Sequence, residues 1–115
     1  MARRLTTDRE VDAFIHKVIN DANHHAAEVT EIIMPLSQAV RKRLNLSQDK
    51  VEVFERNGNI GRTCWVVIKG NRWVFSYSYG SETIELRQGS TKGAVVFRFN
   101  NSTPLEALSA QVAAL

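Results

Sequence analysis

Residues 64–86 read Cys64-Trp65-Val66-Val67-Ile68-Lys69-Gly70-Asn71-Arg72-Trp73-Val74-Phe75-Ser76-Tyr77-Ser78-Tyr79-Gly80-Ser81-Glu82-Thr83-Ile84-Glu85-Leu86. Three strand-like runs are separated by Gly70-Asn71 and Gly80-Ser81, dipeptides that supply the positive φ a two-residue hairpin needs. Closing on Gly70-Asn71 sets Ile68 opposite Trp73, Val66 opposite Phe75 and Cys64 opposite Tyr77. Closing on Gly80-Ser81 sets Tyr79 opposite Glu82, Tyr77 opposite Ile84 and Phe75 opposite Leu86. Both turns put the same side chains on one face, and a slip of one residue in either would destroy the agreement.

The pattern extends both ways. Asn57-Gly58 is a third hairpin turn. A four-residue loop from Gly89 to Lys92, or an equivalent bulge, keeps Val95, Phe97 and Phe99 level with Ile84 and Leu86, whereas a five-residue loop turns them away. The result is a five-stranded antiparallel meander with strands at about 51–56, 62–69, 72–79, 82–88 and 93–99. Its core face carries Val51, Val53, Cys64, Val66, Ile68, Trp73, Phe75, Tyr77, Ile84, Leu86, Val95, Phe97 and Phe99.

Residues 7–44 supply the cover. Thr7 and Glu10 have capping-box spacing, and Val11, Ile15, Val18, Ala22, Val29, Ile32, Leu36 and Val40 follow as a helical stripe. Pro35 lacks an N–H, so a bend or break is expected near Ile33–Leu36. A turn at Asn20–Asn23 making two helices is the alternative. A second capping box at Thr103 and Glu106, with Pro104 at the first helical position, opens a short helix over 104–115. The expectation is an α+β protein, one domain over 1–115. A long bent N-terminal helix, or two helices, packs on the sheet and a short helix ends the chain. The layout resembles that of several superfolds, cystatin-like and nuclear-transport-factor-like folds among them, and the resemblance implies a cone between helix and sheet that several such folds use for small ligands.

The 115 residues are 43% hydrophobic and 23% charged, with a formal net charge of +3. These are globular values that exclude a disordered chain. The small positive excess, with clusters at Arg3–Arg4 and Arg41–Lys42–Arg43, permits contact with a polyanion without requiring it. One cysteine, Cys64, allows no internal disulfide. The first residues reach charge before any apolar run develops, and no apolar stretch approaches the roughly 20 residues that span a bilayer. A cytoplasmic location and no membrane partner are expected.

Little in the sequence carries chemistry. Asp21, His24, His25 and Glu28 are neighbours on one helix, but the spacing matches no helical metal signature and only His16 remains to complete a set. No nucleophile elbow and no glycine-rich phosphate loop is present, and Cys64 reads as a buried thiol. Catalytic residues, metal ligands and cofactors are therefore not assigned.

Two constellations remain. Arg62, Tyr77, Tyr79 and Glu82 fall where the core face runs out of apolar residues and form a candidate rim for a small polar or anionic ligand. Phe54, Trp65, Val67, Val74 and Val96 lie on the opposite face, an apolar patch that the terminal helix, a partner or a stacked base would cover. The first reading is a non-enzymatic binding or assembly protein, homo-oligomeric with a dimer as the first case. One alternative is a nucleic-acid-binding module using Arg41, Lys42, Arg43, Trp65, Lys69 and Arg72. Another is a ligand-binding protein or enzyme with a helix–sheet cleft.

Overall fold

Alternating strands joined by short connections pair with their sequence neighbours, and the last five strands of the sheet follow that rule, while the first reaches the second across two helices. The structure is a computed structural model that describes the backbone of residues 2–25, 29–56, 59–78 and 80–115, and the side chains of residues 4–20, 29–53, 63–78 and 80–115. In chain order the elements are β1 (Ala2–Leu5), α1 (Asp8–His25), α2 (Ile33–Arg43), β2 (Lys50–Arg56), β3 (Asn59–Ile68), β4 (Asn71–Ser78), β5 (Thr83–Gln88), β6 (Val95–Phe99) and α3 (Leu105–Ala113). The sheet has six antiparallel strands in the order β1-β2-β3-β4-β5-β6, one more than the five expected. The added strand is β1, which pairs Arg3 with Val53 and Leu5 with Val51. Its two arginines conceal the alternation, and Leu5 alone is large and apolar.

The β4–β5 register is the expected one, with Tyr77 opposite Ile84 and Phe75 opposite Leu86. The expected Tyr79–Glu82 pair lies partly outside the described residues, since Tyr79 is not among them; β5 starts at Thr83, and Glu82 takes a left-handed φ of 56° in the turn. The β3–β4 hairpin differs from expectation by two residues: Val66 faces Trp73 and Cys64 faces Phe75. Its central residues are Lys69 and Gly70, with φ of 53° and 79°. The Asp49 carboxylate accepts a hydrogen bond from the Lys69 N–H (3.4 Å), which helps to hold a conformation that lysine rarely adopts. A shift of two keeps every side chain on its own face, so the expected faces survive the wrong partners.

A bulge between Leu86 and Arg87 closes the last hairpin, with Leu86 opposite Phe97, Ile84 opposite Phe99 and Arg87 opposite Val95. Val95 thereby leaves the core face, and it is not among the residues of the core cluster. Gly93 in this loop is obligatory, since a Cβ there would collide with the Gln88 carbonyl.

The helical segment is two helices, and the break falls after His25, not at Pro35 or Asn20–Asn23. A straight helix over 7–44 would run about 55 Å, roughly twice the width of a six-stranded sheet, so only a folded-back pair can bury both halves of the stripe. Pro35 sits in the first turn of α2, ahead of the first helical donor, Leu36 N–H to Ile32 C=O (2.9 Å), where its missing N–H costs nothing. The turn leading into α2 is tied to the far end of the chain: Asn101 Oδ1 accepts from the N–H groups of Glu31 (2.8 Å) and Ile32 (3.3 Å).

The Thr7 box is formed, with Glu10 N–H donating to Thr7 Oγ1 at 3.2 Å. The Thr103 box is not. Thr103 Oγ1 instead accepts from Asn100 N–H (2.9 Å), and the extended residue before α3 is Pro104. One buried cluster joins Val11 and Phe14 of α1, Ile33 and Leu36 of α2 and Leu108 and Val112 of α3 to Val53, Ile68, Leu86 and Phe99 of the sheet. All three helices therefore lie on the core face.

Candidate functional site

Alternation along each strand that feeds the core also builds the opposite, outer face. Its rows run Lys50–Val67–Arg72, then Arg4–Glu52–Trp65–Val74–Arg87–Val95, then Thr63–Ser76–Glu85–Arg98. Val74 has 0% exposure, yet it stands outside the core cluster. Its cross-strand neighbours are Trp65 and Arg87, so an aromatic ring and a long cationic stem flank it where no buried helical side chain reaches. The Arg72 guanidinium lies over the Trp65 ring, 5.8 Å from its centroid.

Glu85 anchors the rest of this face. Its residue exposure is 8%, and its carboxylate accepts from Arg87 Nη2 (2.9 Å) and Arg98 Nε (3.1 Å). Arg87 in turn donates to the Gly93 carbonyl (2.7 Å), tying the lattice to the β5–β6 loop. The hydrogen bond from Arg87 and then that from Arg98 hold the Glu85 carboxyl below the usual glutamate range, against the opposing effect of burial. On this face Val67 and Trp65 are half-buried and Val96 is exposed, while Val74, expected in the same patch, is fully buried. The side chain of Phe54 lies outside the described residues.

Of the expected ligand rim, only the Tyr77 and Glu82 side chains are among the described residues. Tyr77 packs against the core cluster and Glu82 is exposed in the turn, while Tyr79 and the Arg62 side chain lie outside the description. An indentation of about 210 Å³ lies elsewhere, between Arg4–Thr6 and Leu46–Lys50. Asp49 in its wall is committed to the backbone, accepting from the N–H groups of Asn45 (2.8 Å) and Lys69 (3.4 Å).

The basic residues divide between the two sides of the sheet. Arg41 bridges α2 to Asp12 (3.0 Å) and Asp8 (3.3 Å) of α1, and Arg43 donates to the Leu115 carbonyl (2.5 Å). Lys42 is exposed beside them. These three are on the helical side, so they share no surface with Trp65, Lys69 and Arg72. Burial pushes the Cys64 thiol up to about 12, which keeps it protonated and unreactive at neutral pH. Among the described residues no group of three or more His, Cys, Asp or Glu can hold a metal ion, and the side chains of Asp21, His24, His25 and Glu28 lie outside them.

Strand alternation in the sequence already places Glu85, Arg87 and Arg98 on this face; what it does not show is that both arginines close on the one carboxylate.

A family model described as "Integron cassette protein VCH_CASS1 chain" matches residues 11–109, from the start of α1 into α3. The chain belongs to this family. The match takes in the parts of all three outer-face rows that lie on β2–β6 and leaves β1 outside. The integron cassette family description names no activity, ligand or partner. No curated protein matches the chain. No helix among the described residues is long and apolar enough to cross a membrane.

Proposed function

We propose that this integron cassette protein is a non-enzymatic assembly module whose partner is a second copy of itself, met at the part of the sheet, outer face or edge, that the helices leave uncovered. The observation that carries the reading is the position of the helices: all three are on the core face, leaving Trp65, Val67, Val95 and Val96 on a side that no described element covers. The chemistry of the described residues favours contact over catalysis. Glu85 is neutralised by two arginines, Asp49 is used by backbone donors, and the Cys64 thiol is held protonated. Size-exclusion chromatography with light scattering is the test. A mass that rises with concentration toward twice the chain mass supports the reading, and a constant monomer mass at high concentration overturns it.

A second reading is favoured by the cations beside Trp65. Lys50, Lys69 and Arg72 are exposed near that ring, a composition suited to a single nucleic-acid strand. Arg41, Lys42 and Arg43 do not contribute, being on the helical side. Binding of an oligonucleotide that weakens steeply with salt and disappears in Arg72→Ala would support it. No binding at low salt would remove it.

A further inference from the structure

An open six-stranded sheet has two edges, and these two are built differently. β1 is four residues long, half of them arginine, and Leu5 is buried at 2% exposure. Short length and charge are the usual protections against unwanted strand pairing. β6 is Val95-Val96-Phe97-Arg98-Phe99, with neither a proline nor a lysine, and Val96 is 43% exposed. Its one cation, Arg98, is half-exposed and paired with Glu85 on the neighbouring strand (3.1 Å), so its charge is partly offset. The bulge lies at the start of the strand, and the stretch from Phe97 to Phe99 pairs regularly with β5. Among the described residues no other strand pairs along its far side. In such an edge strand about half of the backbone N–H and C=O groups point away from the sheet.

We infer that β6 is the seam at which a second copy joins, two β6 strands pairing antiparallel about a two-fold axis so that the two six-stranded sheets become continuous. This rests on the proposed self-assembly and names its surface. A two-fold axis requires the strand to complement itself, and this strand does. With the axis at Phe97, each Val96 faces the other copy's Arg98, so the only charge on the strand meets an aliphatic side chain and not its like. The long arginine stem then covers the valine that the monomer leaves exposed.

The test compares one charge at two places and follows the amides directly. Val96→Lys sets a lysine against the opposing Arg98 across the seam, and Val67→Glu places a charge in the middle of the outer face, away from the edge. Sedimentation velocity should show the dimer dissociation constant raised about tenfold or more by Val96→Lys and changed by less than about threefold by Val67→Glu. Hydrogen exchange of the unmodified protein is the second measurement, and it decides if Val96→Lys fails to fold: amides of β6 should gain protection on concentration while those of β1 do not. A dimer that survives Val96→Lys and is lost in Val67→Glu overturns the seam but leaves self-assembly standing. A dimer with unprotected β6 amides does the same. A monomer at every concentration overturns both.

Discussion

The two faces of this sheet bury residues by different means. On the core face Val53, Ile68, Leu86 and Phe99 are fully excluded from solvent beneath three helices. On the outer face Val74 is equally excluded and Glu85 nearly so, but neighbouring strands do the covering, through the Trp65–Arg72 stack and the Arg87–Glu85–Arg98 bridge. Apolar burial under helices is indifferent to pH and salt, whereas burial by an ion lattice depends on both. The difference teaches that a buried valine need not mark a core: it can mark a surface held dry by its own side chains, and such a surface is already ordered for contact.

The largest effect should come from the helical side. Phe99→Ala removes a fully buried ring in contact with Phe97 (centroids 4.8 Å apart) and should cost about 3–5 kcal/mol in urea unfolding. That loss should be the same at pH 5 and pH 8. An outer-face substitution with a loss as large would erase the distinction between the faces.

Glu85→Gln comes next. It leaves Arg87 and Arg98 without their counter-charge, but the Arg98 side chain is 54% exposed and regains water, so the loss should be about 1–2 kcal/mol at neutral pH. The pH dependence sharpens the contrast. The folded-state pKa of Glu85 is depressed, so its contribution is complete above the ordinary glutamate value and is lost as pH falls through the lowered one. The stability gap between wild type and Glu85→Gln should therefore close as pH drops below about 4. A gap unchanged by acid would show that the carboxylate's charge is not what holds the lattice.

Arg72→Ala should be the smallest, about 0.5–1 kcal/mol, because the guanidinium over Trp65 is exposed to water. A change in Trp65 fluorescence should accompany it, and no change would mean the stack does not persist in solution.

How much of this was legible follows the same division. Faces were readable because alternation has a period of two, and both the unexpected Lys69-Gly70 turn and the bulge at Leu86 shift pairs without exchanging the main faces, except at Val95. Partners were less readable: a turn at Lys69 depends on Asp49, twenty residues away, accepting its N–H. β1 was invisible because a charged edge strand conceals the signal that identifies strands. The helix break escaped because Pro35 looks like an interruption, whereas the turn leading into α2 is held by Asn101 at the far end of the chain. The patch around Trp65 was legible as apolar surface. What covers Val74 was not, since alternation puts Glu85, Arg87 and Arg98 on one face without showing that they pair.

Sedimentation equilibrium of the unmodified protein tests the central claim most directly. A chain of 13.0 kDa that assembles through its uncovered sheet should approach twice that mass as concentration rises. A mass fixed at 13.0 kDa across the series would contradict the account.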